Sequence, residues 1–376
     1  MTPLLSGPRT DTVRRRRAEF HPLTVAAVER LTDDAVAITF AVPDELRDDY
    51  LFQPGQHLTL RATIAGAEVR QSYSICLSRN AAERSGTVRV ASARVAEGRM
   101  SNWLNDSLAP GDVVEVMTPL GSFTCPTQPD GIRHHLAIAA GSGITPVLSL
   151  LTSVLEEEPR SRVTLLYGNR TTGSVMFLEE LEDLKNRYLG RFQLVTVLSR
   201  EPHDVELFTG RLEPERVARI LEVLAPVDTV DEWYLCGPYG MVVGAQELLA
   251  EAGVDATHVH HEIFHVAEQE SPRREVAVVE GAPPAAVVTV SLDGRTTRIE
   301  MPSVEETILD ATLRVRPDAP YSCTGGVCGT CRARLVSGEV RMDRNYALEP
   351  AEVAAGIVLA CQSHPVTEEV ALDYDA

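Results

Sequence analysis

The sequence predicts a multi-domain chain: an antiparallel β-barrel, then an α/β domain on a parallel sheet, then an α+β domain. Three observations carry this. From Phe20 to about Cys125, short β-rich runs such as "GQHLTLRATIAG" and "GTVRVASARV" alternate with turn residues, the rhythm of an antiparallel sheet or barrel. From His134 to Ala267, apolar runs "HLAIAA", "RVTLLYGN", "RFQLVTVLS" and "EWYLCG" alternate with helix-like stretches such as "PVLSLLTSVLEEE" and "MFLEELEDLKNRY", which implies a parallel sheet covered on both faces. Beyond a polar, proline-bearing stretch, "AVVTVSLDGRTTRIEM" reads as a hairpin around Asp293-Gly294. An amphipathic helix is expected next, at Val304 to Val315, and then a loop crowded with cysteine.

The boundaries follow from these rhythms: a solvated arm over 1–19, a barrel over 20–128, an α/β domain over 129–267, a linker over 268–284 ("EQESPRREVAVVEGAPPAA") and the last domain over 285–376. A chain of 376 residues has room for three cores. The net charge of −19 argues against a nucleic-acid partner. No apolar run is long enough to cross a membrane. The basic cluster Arg14 to Arg17 is followed by no apolar core or cleavage site, so a cytoplasmic location is expected. Lys185 is the single lysine among 35 basic residues, so any phosphate clamp must rest on arginine.

The cysteine loop carries the strongest signal. "PYSCTGGVCGTCRARLVSGEV" spaces its cysteines as Cys323-x4-Cys328-x2-Cys331, and Cys361 follows 30 residues later. This is the plant-type pattern for a [2Fe–2S] cluster. Two irons and their bridging sulfides need four thiolates from different directions, so one tight loop supplies three and a distant strand the fourth. Gly325, Gly326 and Gly329 let the backbone wrap closely and turn N–H groups toward the sulfurs. Zinc normally takes two short ligand pairs, and the second is missing here. A redox Cys-x-x-Cys opens a helix, whereas Cys331 is followed by strand-like "RARLVSG". Seven cysteines in a long intracellular chain do not resemble a disulfide framework. Four thiolate ligands imply a low potential, on the order of −400 mV.

Upstream, "AIAAGSGITP" is a strand followed by Gly141, Gly143 and then Thr145 and Pro146 at a helix start. Small residues there allow close approach, and the helix N-terminus favours a pyrophosphate. Gly98-Arg99-Met100-Ser101 precedes another helix-like stretch and offers backbone N–H groups to a second phosphate. Asn169-Arg170 and Ser199-Arg200 close two strands without an acidic residue. A ligand there would meet arginine, which binds phosphate that a carboxylate would repel. Arg211 sits where it could equally begin a helix.

With "FQPGQHL", "VRQSYSIC", "GRMS", "AIAAGSGITP", "LFTGRL" and "YLCGP", the chain after residue 20 resembles the ferredoxin–NADP reductase superfamily. "YGNRT" together with "NYALEPAEVAAG" is similar to the reductase subunits of bacterial phenylacetyl-CoA epoxidases. The resemblance implies FAD on the barrel, NADPH on the α/β domain and a β-grasp ferredoxin domain at the C-terminus. It further implies that electrons leave for a di-iron oxygenase. Tyr73 would pack against the flavin ring and Ser74 approach its reactive edge, while Cys236, followed by Gly237 and Pro238, would lie near the nicotinamide. Thr145 would reach the nicotinamide too. The family arginine that pairs with the flavin diphosphate has Gln71 in its place, with Arg70 one residue early. Arg99 could supply the missing charge. Phe264 either closes over the flavin or packs in the core. Cys76 and Cys125 have no motif partner and read as packed thiols. His134, His135, His258, His260 and His261 flank strands and read as structural or surface groups. An NADH-dependent reductase of a steroid or aromatic-ring hydroxylase is the nearest alternative. A cluster-state regulator would lack reason for a coenzyme-binding half, and a zinc-stabilised interaction domain would show zinc and little iron.

Overall fold

The computed structural model describes residues 18–265 and 284–376. The arm expected over 1–19 and the linker expected over 268–284 therefore lie almost wholly outside the described residues.

The first domain contains strands β1 (Phe20–Thr32), β2 (Ala35–Ala41), β3 (His57–Ile64) and β4 (Ala67–Ser74), helix α1 (Arg79–Ser85), strand β5 (Thr87–Ala93), helix α2 (Arg99–Asp106) and strand β6 (Val113–Met117). The strands form one sheet in the order β4-β3-β6-β1-β2-β5. An antiparallel bridge between Ile75 and Val90 joins its two edges and closes the barrel. Ala65 and Gly66, both at positive φ, make the tight turn between β3 and β4. Leu23, Ile38, Phe40, Leu58, Leu60 and Val116 point inward from alternating positions and fill the barrel.

The second domain runs β7 (His134–Ala140), α3 (Ile144–Glu157), β8 (Arg162–Asn169), α4 (Leu178–Arg187), β9 (Phe192–Leu198), α5 (Pro214–Leu224), β10 (Glu232–Pro238), α6 (Tyr239–Glu251) and β11 (Val259–His265). All pairings are parallel, in the order β11-β10-β7-β8-β9. The order reverses between β7 and β10, and open α/β sheets bind their ligands outside the carboxyl ends of strands at such a point. The barrel and this domain share a core. Ala35, Cys76, Ala91, Phe123 and Cys125 from the barrel side pack in one apolar cluster with Ile144, Val147, Leu151 and Tyr234. Burial pushes both the Cys76 and Cys125 thiols up to about 11, so they are packed neutral groups. Arg89 of β5 reinforces the joint with two 2.8 Å bonds to the Glu180 carboxylate of α4.

The third domain runs β12 (Ala286–Leu292), β13 (Arg295–Met301), α7 (Ile308–Leu313), β14 (Arg332–Ser337), β15 (Val340–Met342), α8 (Pro350–Ala354), β16 (Ile357–Leu359), β17 (Ser363–Pro365) and β18 (Glu369–Asp373). Its main sheet has the order β13-β12-β18-β14-β16, with β12 and β18 parallel at the centre. Asp293 and Gly294, at φ 54° and 68°, make the hairpin turn as expected. The helix expected over Val304 to Val315 is shorter, α7 alone. Thr307 caps its N-terminus by accepting a hydrogen bond from the Asp310 N–H, so the preceding residues form a turn instead. This domain has a core of its own, built from Val288, Val290, Ile308, Leu359, Val370 and Leu372.

At the end of α3 the carboxylate of Glu158 is fully buried. It accepts hydrogen bonds from the Gln128 N–H (2.8 Å), Ser161 Oγ (2.6 Å) and the Arg133 guanidinium, and meets His135 Nε2 at 3.2 Å. Burial alone would raise its pKa, but the bonds from His135, Arg133, Ser161 and the Gln128 backbone outweigh this and hold it well below the usual carboxylate range. A depressed pKa contributes stability above the unfolded value near 4.5 that is lost as pH falls toward the folded value. Glu158→Gln is therefore expected to destabilise this domain by roughly 3–5 kcal/mol at pH 7, because Arg133 loses its buried partner. The difference from wild type should shrink steadily below pH 4.5 when unfolding is followed by tryptophan fluorescence.

Candidate electron-transfer site

The cluster loop, residues 320–331, is irregular, with Thr324, Gly326 and Gly329 all at positive φ. A Cβ on Gly326 would stand 3.1 Å from the Arg344 carbonyl oxygen, so the loop is wrapped too tightly there for a larger residue. Cys331 and Cys361 are buried, and Cys323 and Cys328 are partly exposed. The Cys328 N–H points at Cys323 Sγ, 3.3 Å away. Thiol contacts join Cys323 to Cys328 and Cys331 to Cys361. Among the described residues, no group of three or more Cys, His, Asp or Glu is placed to hold a single metal ion. Two thiol pairs suit a two-iron cluster, with one pair for each iron. The residues present fit a [2Fe–2S] group.

This loop faces a junction of all three domains. His57 and Ser74 are directly opposite each other on β3 and β4, so their side chains leave the same face. Both reach Glu262 of β11: Ser74 Oγ donates to Glu262 Oε2 at 3.2 Å, and His57 Nδ1 lies 4.0 Å from Glu262 Oε1. On its other side His57 Nε2 meets Thr330 Oγ1 at 3.4 Å, and the Thr330 hydroxyl bonds the Cys328 thiol. Cys236 of β10 pairs in register with Glu262. Burial pushes Glu262 up to about 8 and His57 down, so their contact joins two neutral groups at pH 7. Burial likewise raises the Cys236 thiol. Tyr73, on the opposite face of β4, packs against the barrel core and hydrogen-bonds Ser92.

The nucleotide end is built at the switch point. Gly141 has φ +54°, and a Cβ on Gly143 would lie 2.2 Å from the Cys236 carbonyl oxygen. Gly237, at φ +155°, faces Ala140 at close range. Thr145 and Pro146 are buried in the first turn of α3, with Thr145 Oγ1 donating to the Ser142 carbonyl. Further along the sheet edge, the Ser199 and Arg200 N–H groups bond the Asn169 and Arg170 carbonyls, which holds the two loops together. Asn169 Nδ2 is buried without a partner among the described residues. Arg170 is engaged across the domain boundary by Asp34, 2.7 Å away. Pro238 is exposed at the end of β10.

At the barrel, Gly98 caps α2 without a side-chain bond, and a Cβ there would collide with Ser101 Oγ at 2.5 Å. Met100 and Ser101 are buried, and Arg99 bonds the Ile64 carbonyl. Gln71 is exposed. Arg70 points to the other face of β4, pairing with Glu68 and lying 4.2 Å over the Tyr321 ring of the third domain. Phe264 is partly buried against the shared core.

Three family models match the chain in order: an oxidoreductase FAD-binding domain at residues 22–125, an oxidoreductase NAD-binding domain at 137–247 and a 2Fe-2S iron-sulfur cluster binding domain at 290–366. The chain is 43% identical to one of the subunits of the 1,2-phenylacetyl-CoA epoxidase of Escherichia coli (strain K12), over 95% of this chain and 98% of that one. The chain belongs to the ferredoxin–NADP reductase superfamily, in the branch with a C-terminal [2Fe–2S] domain.

The reductase is also 36% identical to the ferredoxin reductase component of the 3-ketosteroid-9-alpha-monooxygenase of Rhodococcus rhodochrous, over 94% of this chain and 96% of that one. Phthalate dioxygenase reductase shares the fold, with a TM-score of 0.56 at 23% identity over 94% of this chain and 98% of that one. The reductase is thus an NAD(P)H-dependent oxidoreductase built to hold FAD and a [2Fe–2S] cluster. No helix among the described residues is long and apolar enough to cross a membrane.

Sequence reasoning passed over His57 and Glu262, two of the groups at the centre of the junction. The available signal was a histidine in "PGQHL" and an acid inside the strand run "HHEIFH", and only the fold shows that the two meet at the junction. The neighbouring histidines are engaged elsewhere: His258 and His260 with Glu232, and His261 with Glu349. Cys361→Ala is expected to abolish the cluster's visible absorbance and reduce bound iron from about two atoms per chain to a trace, with FAD retained. Iron and flavin assays on the purified variant check this.

Proposed function

We propose that the reductase takes electrons from NADPH and delivers them singly to a di-iron oxygenase, the phenylacetyl-CoA epoxidase, in the cytoplasm. The observation that carries this reading is the meeting at Glu262 of Ser74 from the barrel, Cys236 from the nucleotide domain and the Cys328 loop from the ferredoxin domain. A donor, a divider and a carrier of electrons need such a junction, since transfer weakens with distance. Bound FAD would turn a two-electron donor into single electrons, and the [2Fe–2S] cluster would carry them one at a time.

The chain's own residues hold and orient these groups. Tyr73 offers its ring face, Ser74 a hydroxyl, and Gly98 with the α2 backbone N–H groups a phosphate site. Gly141, Gly143, Gly237 and Pro238 leave room for the coenzyme, and Thr145 and Cys236 bound its nicotinamide end. Glu262, uncharged at pH 7, holds a proton beside Ser74. Cys323, Cys328, Cys331 and Cys361 ligate the irons.

Coenzyme choice rests on Arg200. Its guanidinium is exposed and has no hydrogen bond or ion pair among the described residues, whereas Arg170 is taken by Asp34. The adjacent acid, Glu201, accepts hydrogen bonds from the Thr172 N–H and hydroxyl, at 2.8 and 2.9 Å, which fix its carboxylate on Thr172 and hold it ionised. Arg200→Ala is expected to raise KM for NADPH about 10- to 100-fold, the worth of one charge-assisted phosphate contact. KM for NADH should stay within about twofold.

The 36% identity to ketosteroid monooxygenase reductase components favours a steroid oxygenase as the second reading of the partner. Oxygen uptake with purified phenylacetyl-CoA epoxidase oxygenase subunits, phenylacetyl-CoA and NADPH decides between them. Uptake dependent on the reductase is expected. Turnover of a steroid oxygenase instead, with none of phenylacetyl-CoA, would overturn the assignment.

A further inference from the structure

The two halves of the coenzyme site differ in access. At the β8 and β9 end, Arg200 is exposed and Arg170 half-exposed. At the β10 end, Cys236 and Gly237 are buried, and what stands over this region is the ferredoxin domain. Tyr239, which directly follows Pro238 and opens α6, meets the Tyr346 ring edge to face at 5.7 Å. Val327, from the cluster loop itself, and Tyr346 pack onto the apolar cluster that includes Met241. Met241 in turn covers Gly237, its Cε only 2.9 Å from where a Gly237 Cβ would stand. Glu349 Oε1 lies 3.0 Å from His261 Nδ1 of β11. A cavity of about 540 Å³ remains between the domains, with His261 and Glu262 on one wall and Cys328, Gly329 and Tyr346 on another.

We propose that the ferredoxin domain and the nicotinamide half of the coenzyme share one docking surface, the carboxyl ends of β10 and β11 with the first turn of α6, and occupy it in turn. This rests on the placement of the coenzyme given under Proposed function. The contacts that hold the domain down suit a reversible lid: one aromatic pair, one histidine–carboxylate contact, one arginine–tyrosine stack, one histidine–threonine contact and the edge packing of Val327 and Tyr346, each of them small. A coenzyme that needs the undocked state binds with an affinity reduced by the fraction of chains that are undocked. Linkage then requires bound coenzyme to favour undocking in the same measure. The adenosine half, seated at Arg200, stays outside this competition.

The test uses full-length holoprotein carrying Tyr346→Ala and Glu349→Gln, with NADP+ and 2′,5′-ADP as calorimetric probes. NADP+ affinity is expected to rise about three- to tenfold over wild type, with 2′,5′-ADP unchanged within about twofold. In wild type, NADP+ should increase hydrogen exchange over residues 321–330 and 344–349, and 2′,5′-ADP should not. An unchanged or weaker NADP+ affinity in the variant, or unchanged exchange in wild type while 2′,5′-ADP binds, overturns the shared surface and leaves the coenzyme reading standing. Failure of both nucleotides to bind wild type overturns that reading and this inference together.

Discussion

One half-buried carboxyl group organises the centre of this molecule. Glu262 lies at the end of the nucleotide sheet, yet its neighbours belong to the barrel and to the cluster loop. An ionised carboxylate there would need a cation, and none faces it among the described residues: His57 is held neutral by the same burial. The site resolves this by keeping the acid protonated, with its pKa pushed up to about 8. Three domains can then close on one another around an uncharged contact, which brings Ser74, Cys236 and Cys328 into one neighbourhood.

The domains are joined with unequal strength. The barrel and nucleotide domain share a continuous core, clamped by the bidentate Arg89–Glu180 pair. The ferredoxin domain touches them through rings, the edge packing of Val327, a histidine–carboxylate contact and a histidine–threonine contact. Large apolar burial fixes a geometry, and scattered polar contacts allow it to be left and regained. The first kind of joint fixes how the barrel and the nucleotide domain face each other, and the second holds the ferredoxin domain through small contacts.

Much of this is legible in the sequence because it is written in local spacing. Four cysteines at fixed intervals, glycines at tight turns and the change from β-rich runs to strand–helix alternation each report on a few neighbouring residues. The alternation of β4 correctly separates Arg70 from Gln71, and the structure shows where Arg70 goes, onto Tyr321. What cannot be read depends on distant partners. Arg170 and Arg200 look equivalent in sequence until the fold brings Asp34 to one of them. Glu262 and His57 are ordinary strand residues until register and domain packing bring them together. The expected helix is longer than α7 because Thr307 fits a helical pattern equally well inside a helix and as its cap.

The shared core also bears on how such chains are assembled over evolutionary time. Two segments that bury the same side chains cannot be inherited separately without exposing half of an apolar surface, so the barrel and the nucleotide domain form one heritable cassette. The ferredoxin domain closes around Val288, Ile308 and Leu372 by itself. Its core therefore stays whole when the domain is parted from the other two.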